Sequence, residues 1–341
     1  MTGNFQGAFT DGSEALQKIK QMSAAADFMG NGSLEVNRYE SEIYDCVVRS
    51  GPALQRFKAK PATGHPHRYF EQTAIGTAVW SDPRVITTTA SGPTRIEQAC
   101  FIKCLTNQTN LSLFDIDVTR QQGQYTGLES KDIQDAVNAI LKLEAAAVWN
   151  GNDTALNAPT TTQYMGILNQ ILATSTIANG ASIVDGLKAA VAGMVARTDF
   201  EVNPTAIYLN PILGDYIDRE AKAQRIDLSE MEVTAGVKVK AINTQAGILP
   251  LIPDKFIPSS TASAYGFSAP AAGLKNYFAV IVTEDAVEMP FIDGGTGNPK
   301  PRIFQLGLLA GLQGQYVAVH FNAVLVKGAS YSHQVVCVVR P

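Results

Sequence analysis

The chain has 341 residues, 45% of them apolar but only 17% charged, with a net charge of −4 and a pI near 5.6. That length suits one elaborated domain or two interleaved ones. The mild acidity excludes a general electrostatic grip on phosphate backbones. The charge deficit, against about 25% in a typical globular protein, points to a chain that buries much of its outside against neighbours.

Residues 1–48 are polar and punctuated by Gly, Ser and Asn, with one short amphipathic stretch that places Leu16, Ile19, Met22 and Ala26 near one face. They read as an arm that buries too little to fold alone. The first residues carry neither a basic n-region nor an apolar h-region, and no run approaches 18 apolar residues, so synthesis in a cytoplasm is expected. Residues 57–93 mix aromatics with Pro61, Gly64, Pro66 and Gly76 and show no helical period, which predicts a long excursion containing a β-hairpin. Ordering such a loop costs entropy that only contacts elsewhere can offset, so it is expected to reach a neighbour.

Alternation at Ile96, Leu111, Leu113, Ile116 and Val118 predicts extended strands over 95–119. A helix over 130–149 follows from Ile133, Val137, Ile140, Leu141 and Val148, with Ser130 as its cap and Gly151 as its stop. A second helix places Ile183, Leu187, Val191, Met194 and Val195 on one face, and TAIYL follows as a buried strand. Asn210 before Pro211 marks the start of a third helix, with Ile212, Leu213, Tyr216 and Ile217 inward. Strands are predicted at GVKVKAI, GILPLIP, NYFAVIVT and AVEMPF, and long apolar strands after the Gly-rich turn DGGTGNPKP.

A search for chemistry returns little. The sequence has no GxxxxGK[ST] phosphate loop, no GxSxG elbow and no HExxH helix, and GGTGNPK at 294–300 reads as a turn. His65 and His67 lie among prolines without a nearby carboxylate or Cys, and His320 and His333 stand apart. Asp115 and Asp117 read as an acidic strand edge, and Trp80 and Trp149 as packing anchors. Cys46, Cys100, Cys104 and Cys337 read as reduced, with Cys100 and Cys104 as small buried residues on one strand face. No catalytic residue, cofactor or metal ligand is assigned, and the chain is not expected to be an enzyme.

The order of these parts resembles the major capsid protein family of tailed bacteriophages, whose α+β fold is shared with encapsulins and the herpesvirus capsid floor. The most specific local likenesses are LEAAAVWNGND followed by PTTTQYMGIL, similar to a spine helix, an Asn-Gly turn and a Gly-Ile-Leu sequence, and NPTAIYLNP, similar to an axial-domain strand entering a helix. The resemblance implies an N-terminal arm at 1–48, an extended loop at 49–98, a peripheral domain at 99–164 with a long spine helix, an axial domain at 165–297 and returning peripheral strands at 298–341. It implies self-assembly into hexamers and pentamers of an icosahedral shell around double-stranded DNA, in a virion assembled in host cytoplasm. Decoration, scaffolding and portal proteins are further implied partners, and no membrane is involved. Phe57, Arg68, Tyr69, Phe70, Trp80 and Arg84 are the expected inter-subunit contacts.

Some members of that family join a loop Lys to a peripheral-domain Asn with help from a Glu. Lys58, Lys60 and Asn322 stand in comparable places, but no Glu occurs after Glu288, so this chemistry is not expected. The alternatives are an encapsulin-type compartment shell, an α+β enzyme built from distant residues, and a tail-tube or adhesin subunit, which the long helix fits poorly.

Overall fold

A computed structural model of the chain describes residues 50–84, 90–122, 128–224, 228–234, 237–309 and 313–341. The expected arm at 1–48 lies outside them. The chain divides into a small unit, residues 1–46 and 118–126, and a large one, residues 47–117 and 127–341.

The large unit opens with helix α1 (Pro52–Arg56) and strand β1 (Lys58–Pro61), followed by a hairpin of β2 (His67–Ala74) and β3 (Thr94–Cys100). Strand β4 (Lys103–Ser112) leads directly into helix α2 (Leu113–Gln122), where alternation had predicted more strand. Ser112 followed three residues later by Asp115 is a helix-start pattern, and Asp115 and Asp117 suit the positive end of a helix. The two aspartates therefore do not share a strand face. Helix α3 (Leu128–Asn150) begins two residues before the expected cap Ser130 and spans roughly 35 Å at 1.5 Å per residue. Its Ala136, Ile140, Ala147 and Val148 are buried.

After the short helix α4 (Ile167–Gln170) come β5 (Thr174–Ile177), α5 (Ile183–Val195), β6 (Ala206–Leu209) and α6 (Pro211–Gln224). Ser182 caps α5 by accepting from the Asp185 amide at 3.2 Å, and Glu220 of α6 accepts from the Ile183 amide at 2.8 Å. Asn210 caps α6 by accepting from the Ile212 amide at 3.0 Å. Leu213, Ile217 and Ala221 form the inward stripe of α6; Ile212, expected inward, is 52% exposed because it lies off that i, i+4, i+8 row. Strands β7 (Ser229–Thr234), β8 (Val237–Thr244), β9 (Gly247–Pro253), β10 (Ser259–Ser260), β11 (Lys275–Val282), β12 (Val287–Ile292), β13 (Arg302–Leu309), β14 (Gln313–Asn322), β15 (Leu325–Val326) and β16 (Gln334–Arg340) complete the order.

These strands make two large sheets. In the first, β14 pairs along its whole length with β4 and also with β13, and its end meets β12, which pairs with β1 and β15. The second runs β5-β16-β11-β6-β9-β8-β7. The expected boundary at 297/298 is thus corrected at both ends: β12 belongs to the first sheet, and the terminal β16 returns to the second. Strand β11 lies between β16 and β6, and its apolar residues alternate between two cores that cover the two faces of the sheet. Ala206, Tyr208, Phe278, Val280, Val335 and Cys337 face one core, whereas Ile207, Leu209, Tyr277, Ile281, Val336 and Val338 face another beneath α5 and α6.

The first core is pinned where α3 ends. Trp149 is fully buried and donates its Nε1–H to Asp254 at 2.9 Å, and its ring sits 5.2 Å from that of Tyr208. Cys100 and Cys337 are buried, but Cys104 is exposed on β4 and does not share a strand with Cys100, a correction to their expected common face. Cys46 lies outside the described residues.

His333 is fully buried; its Nδ1 accepts from the Thr283 amide at 3.3 Å and its Nε2 lies 3.1 Å from the Lys327 carbonyl. Both contacts are satisfied by the neutral ring, and burial pushes the pKa down to about 4. Because the folded value lies below the unfolded one, the unfolded chain takes up the proton first as pH falls. The contribution of His333 is complete above about pH 6.5 and is lost between about pH 6.5 and 4, on the order of 3 kcal/mol. His67, whose pKa burial also lowers, adds in the same direction. Urea midpoints should fall across this window, and His333→Gln should flatten most of that slope.

Candidate inter-subunit surface

The hairpin of β2 and β3 is short of apolar cover. Tyr69 pairs with Gln98 and Glu71 with Ile96, and the register shifts between Gln72 and Ala74. Arg68 bridges to Glu97 at 2.7 Å and Arg95 donates to Gln72 at 3.2 Å, so these cations tie the two strands together. Beyond the strands Gly76, at φ 93°, closes against Ser91, and the Thr77 amide donates to Ser91 Oγ at 2.9 Å. Phe70 is 74% exposed, Ile75 84% and Trp80 102%, which is a full indole in solvent. A monomer gains nothing from that arrangement, since an exposed indole costs hydration without packing.

The base of the hairpin is held differently. Lys327 lies 5.5 Å from the Tyr69 ring centre and 2.6 Å from Glu288, which Lys60 also approaches at 3.5 Å. Two ammonium groups draw the Glu288 carboxyl below its ordinary range even though burial opposes them. Tyr69 is therefore a docking residue of the hairpin's own body. Arg84 is exposed, and its backbone amide donates to the Asp82 carboxylate at 2.9 Å.

Phe57 corrects the expected contact set. It is 4% exposed and packs against Trp149 and Tyr208, with ring centres 6.0 and 5.4 Å away. The excursion read from composition at 57–93 takes in β1, and the extended loop implied at 49–98 takes in α1 as well, whereas β1 is stitched into the body: Lys58–Pro61 runs parallel to Glu288–Phe291.

One polar cluster was not anticipated. Glu144 of α3 and His320 and Asn322 of β14 are 4%, 5% and 1% exposed. Asn322 Nδ2 donates to Glu144 Oε1 at 2.5 Å, and His320 Nε2 lies 3.7 Å from the same oxygen. The signal was present in the sequence, since Glu144 falls on the Ile140/Val148 face of the helix where a charge is out of place. The cluster borders a cavity of about 190 Å³. Elsewhere Asp293 accepts from the amides of Gly295 at 2.9 Å and Asn298 at 2.7 Å, which makes GGTGNPK a self-satisfied turn. Among the described residues no three His, Cys, Asp or Glu side chains gather to hold a metal ion, and no helix is long and apolar enough to cross a membrane.

No protein-family model matches the sequence, and no curated protein matches it. Solved structures do match in fold. The capsid of a native GTA particle superposes with a TM-score of 0.61 at 14% identity, over 93% of this chain and 98% of that one. The head structure of Helicobacter pylori bacteriophage KHP40 gives a TM-score of 0.61 at 9% identity, over 92% and 97%. The holo-SrpI encapsulin complex of Synechococcus elongatus gives 0.59 at 11%, over 89% and 92%. The chain has the phage capsid fold.

The fold also revises the account of the cross-linking chemistry. A buried carboxylate does accompany Asn322, supplied from far upstream by Glu144. The lysine is what the hairpin lacks: residues 67–100 contain Arg68, Arg84 and Arg95 but no Lys. Lys58 and Lys60 sit in β1 within the body, and Lys60 faces its own chain's Glu288.

Proposed function

We propose that this chain is the major capsid protein of a tailed bacteriophage, which self-assembles into an icosahedral shell around double-stranded DNA. The observation that carries this reading is the hairpin tip with Ile75, Val79 and Trp80 held in solvent. Such a tip becomes favourable when it lies on an adjacent copy, where aromatic anchors dominate the association energy. Closed symmetry repeats each contact around every ring, so a weak pair interaction suffices to close a shell. The subunit has no catalytic role on this reading. It works in the virion, is assembled in host cytoplasm, and meets scaffolding, portal or decoration proteins as further partners.

An encapsulin-type compartment is the second reading, favoured by the equal likeness to the encapsulin complex. Light scattering on purified protein, with micrographs of the same fractions, tests the shell itself. Megadalton particles or rings of five and six subunits are expected; a monomer or dimer that persists on concentration would overturn it. Nuclease-protected DNA inside particles from infected or induced cells favours the phage reading, and packaged enzyme favours the compartment.

A further inference from the structure

The cavity beside Glu144, His320 and Asn322 has the chemistry of a cation seat. Its walls include Leu141, Met289, Phe291 and Pro299, which suit an aliphatic stem. Its polar side is rich in acceptors. A carboxylate can only accept, so the Asn322 amide nitrogen must face Glu144, and the amide carbonyl is left over. That Oδ1 is buried and has no hydrogen-bond partner among the described residues. Leaving such an acceptor dry costs about 1–3 kcal/mol unless a donor arrives. An anion would meet a carboxylate and a carbonyl there, whereas a cationic donor satisfies both.

The hairpin of the same chain carries a candidate donor. Residues 67–100 of the hairpin carry three arginines and no lysine; Arg68 is held by Glu97 and Arg95 by Gln72, whereas the Arg84 guanidinium meets no partner among the described residues. A guanidinium presents several N–H groups in one plane and so can reach a carboxylate and a neighbouring carbonyl together. We infer that the cavity beside Glu144 and Asn322 seats the Arg84 guanidinium of a second copy of the chain. Trp80, four residues earlier on the same tip, then covers the seat and excludes water from it. This inference rests on the shell reading and specifies which contact locks the hairpin to its neighbour. Lys300, exposed and also bordering the cavity, is the competing occupant from the chain's own side.

The test is a double-mutant cycle on the full chain, read as the concentration for half-maximal assembly. Arg84→Ala and Glu144→Gln are each expected to raise it by about tenfold or more, because removing one partner strands the other in a dry site. The double variant should be no worse than the worse single one, and Arg84→Lys should fall between wild type and Arg84→Ala. Independent, multiplying effects would overturn the seat, as would a Glu144→Gln protein that assembles normally or a Lys300→Ala protein that alone reproduces its defect. A peptide of residues 76–92, followed by its Trp80 fluorescence on unassembled full-length chain, separates the two readings. Binding that Arg84→Ala in the peptide and Glu144→Gln in the protein both abolish supports the seat even where wild-type chain forms no particles. A peptide that does not bind, or binds unchanged without Arg84, overturns it whether or not shells form.

Discussion

A chain in which residues 76–92 are replaced by a short Gly-Ser turn is expected to fold as well as wild type and to form no closed shells. Strand β2 ends at Ala74 and pairs there with Thr94, so a turn joining Ile75 to Pro93 leaves the hairpin ladder intact. The removed residues include Val79 and Trp80, which are exposed, and their loss should change unfolding stability by less than about 1 kcal/mol. In an assembly the same residues would be anchors, each worth about 2 kcal/mol or more, which is roughly a thirtyfold change per contact. Far-ultraviolet circular dichroism and urea unfolding report the fold, and sedimentation reports the shells. Particles at wild-type yield would mean that the tip is ornamental and that subunits meet through other surfaces.

The second large effect lies at the end of α3. A Cβ placed on Gly151 would fall 2.3 Å from the Tyr164 carbonyl oxygen, and one on Gly166 would fall 2.4 Å from the Gly151 nitrogen. These are backbone atoms, held by the Gly166 amide donating to the Gly151 carbonyl at 3.0 Å and by Asn169 Nδ2 donating to the same oxygen at 2.7 Å. Nothing nearby can swing aside. Gly166→Ala is therefore expected to cost more than about 3 kcal/mol and to leave little soluble protein, because the backbone after the helix end and the segment around Met165, which bridges to Asn152, must part. Gly193→Ala is the control: it lies inside α5 with nothing within 4 Å of the new methyl, and should gain about 0.5–1 kcal/mol from helix propensity. Comparable urea midpoints for the two variants would show that the close approach at Gly151 is not a constraint.

Several elements were legible because their signal is local. The inward rows of α3 and α5, apart from Val195, which is 37% exposed, the Asn210–Pro211 start of α6 and the apolar strand β6 follow from spacing and capping over a few residues. The strand-to-helix switch at Ser112 is obscured because apolar alternation runs on past it, although Ser112 and Asp115 form a helix-start pattern. Phe57 was misplaced for a related cause: composition marks where turns cluster, but it cannot tell which side of the turn is stitched to a strand more than two hundred residues later.

The candidate site divides in the same way. An aromatic, turn-rich excursion with Phe70, Trp80 and Arg84 could be picked out from composition, since large apolar groups without a periodic face have nowhere local to go. Arg68 and Tyr69 belonged to the same stretch, yet their partners, Glu97 and Lys327, turn them toward the hairpin and the body. Glu144 and Asn322 are separated by 178 residues and were brought together only by β14 lying under α3.

What the sequence determined by itself is the succession of elements, the apolar faces of its helices and strands, and a low share of charged residues. Those properties depend on neighbours within a turn or two of chain. Only the tertiary structure decided which strand returns to which sheet, which aromatics are core and which are bare, and that a carboxylate, an imidazole and an amide share one cavity. Such choices are set by pairings across hundreds of residues, where the free energy of burial on both faces of a sheet selects the partner and no short stretch of chain carries the choice.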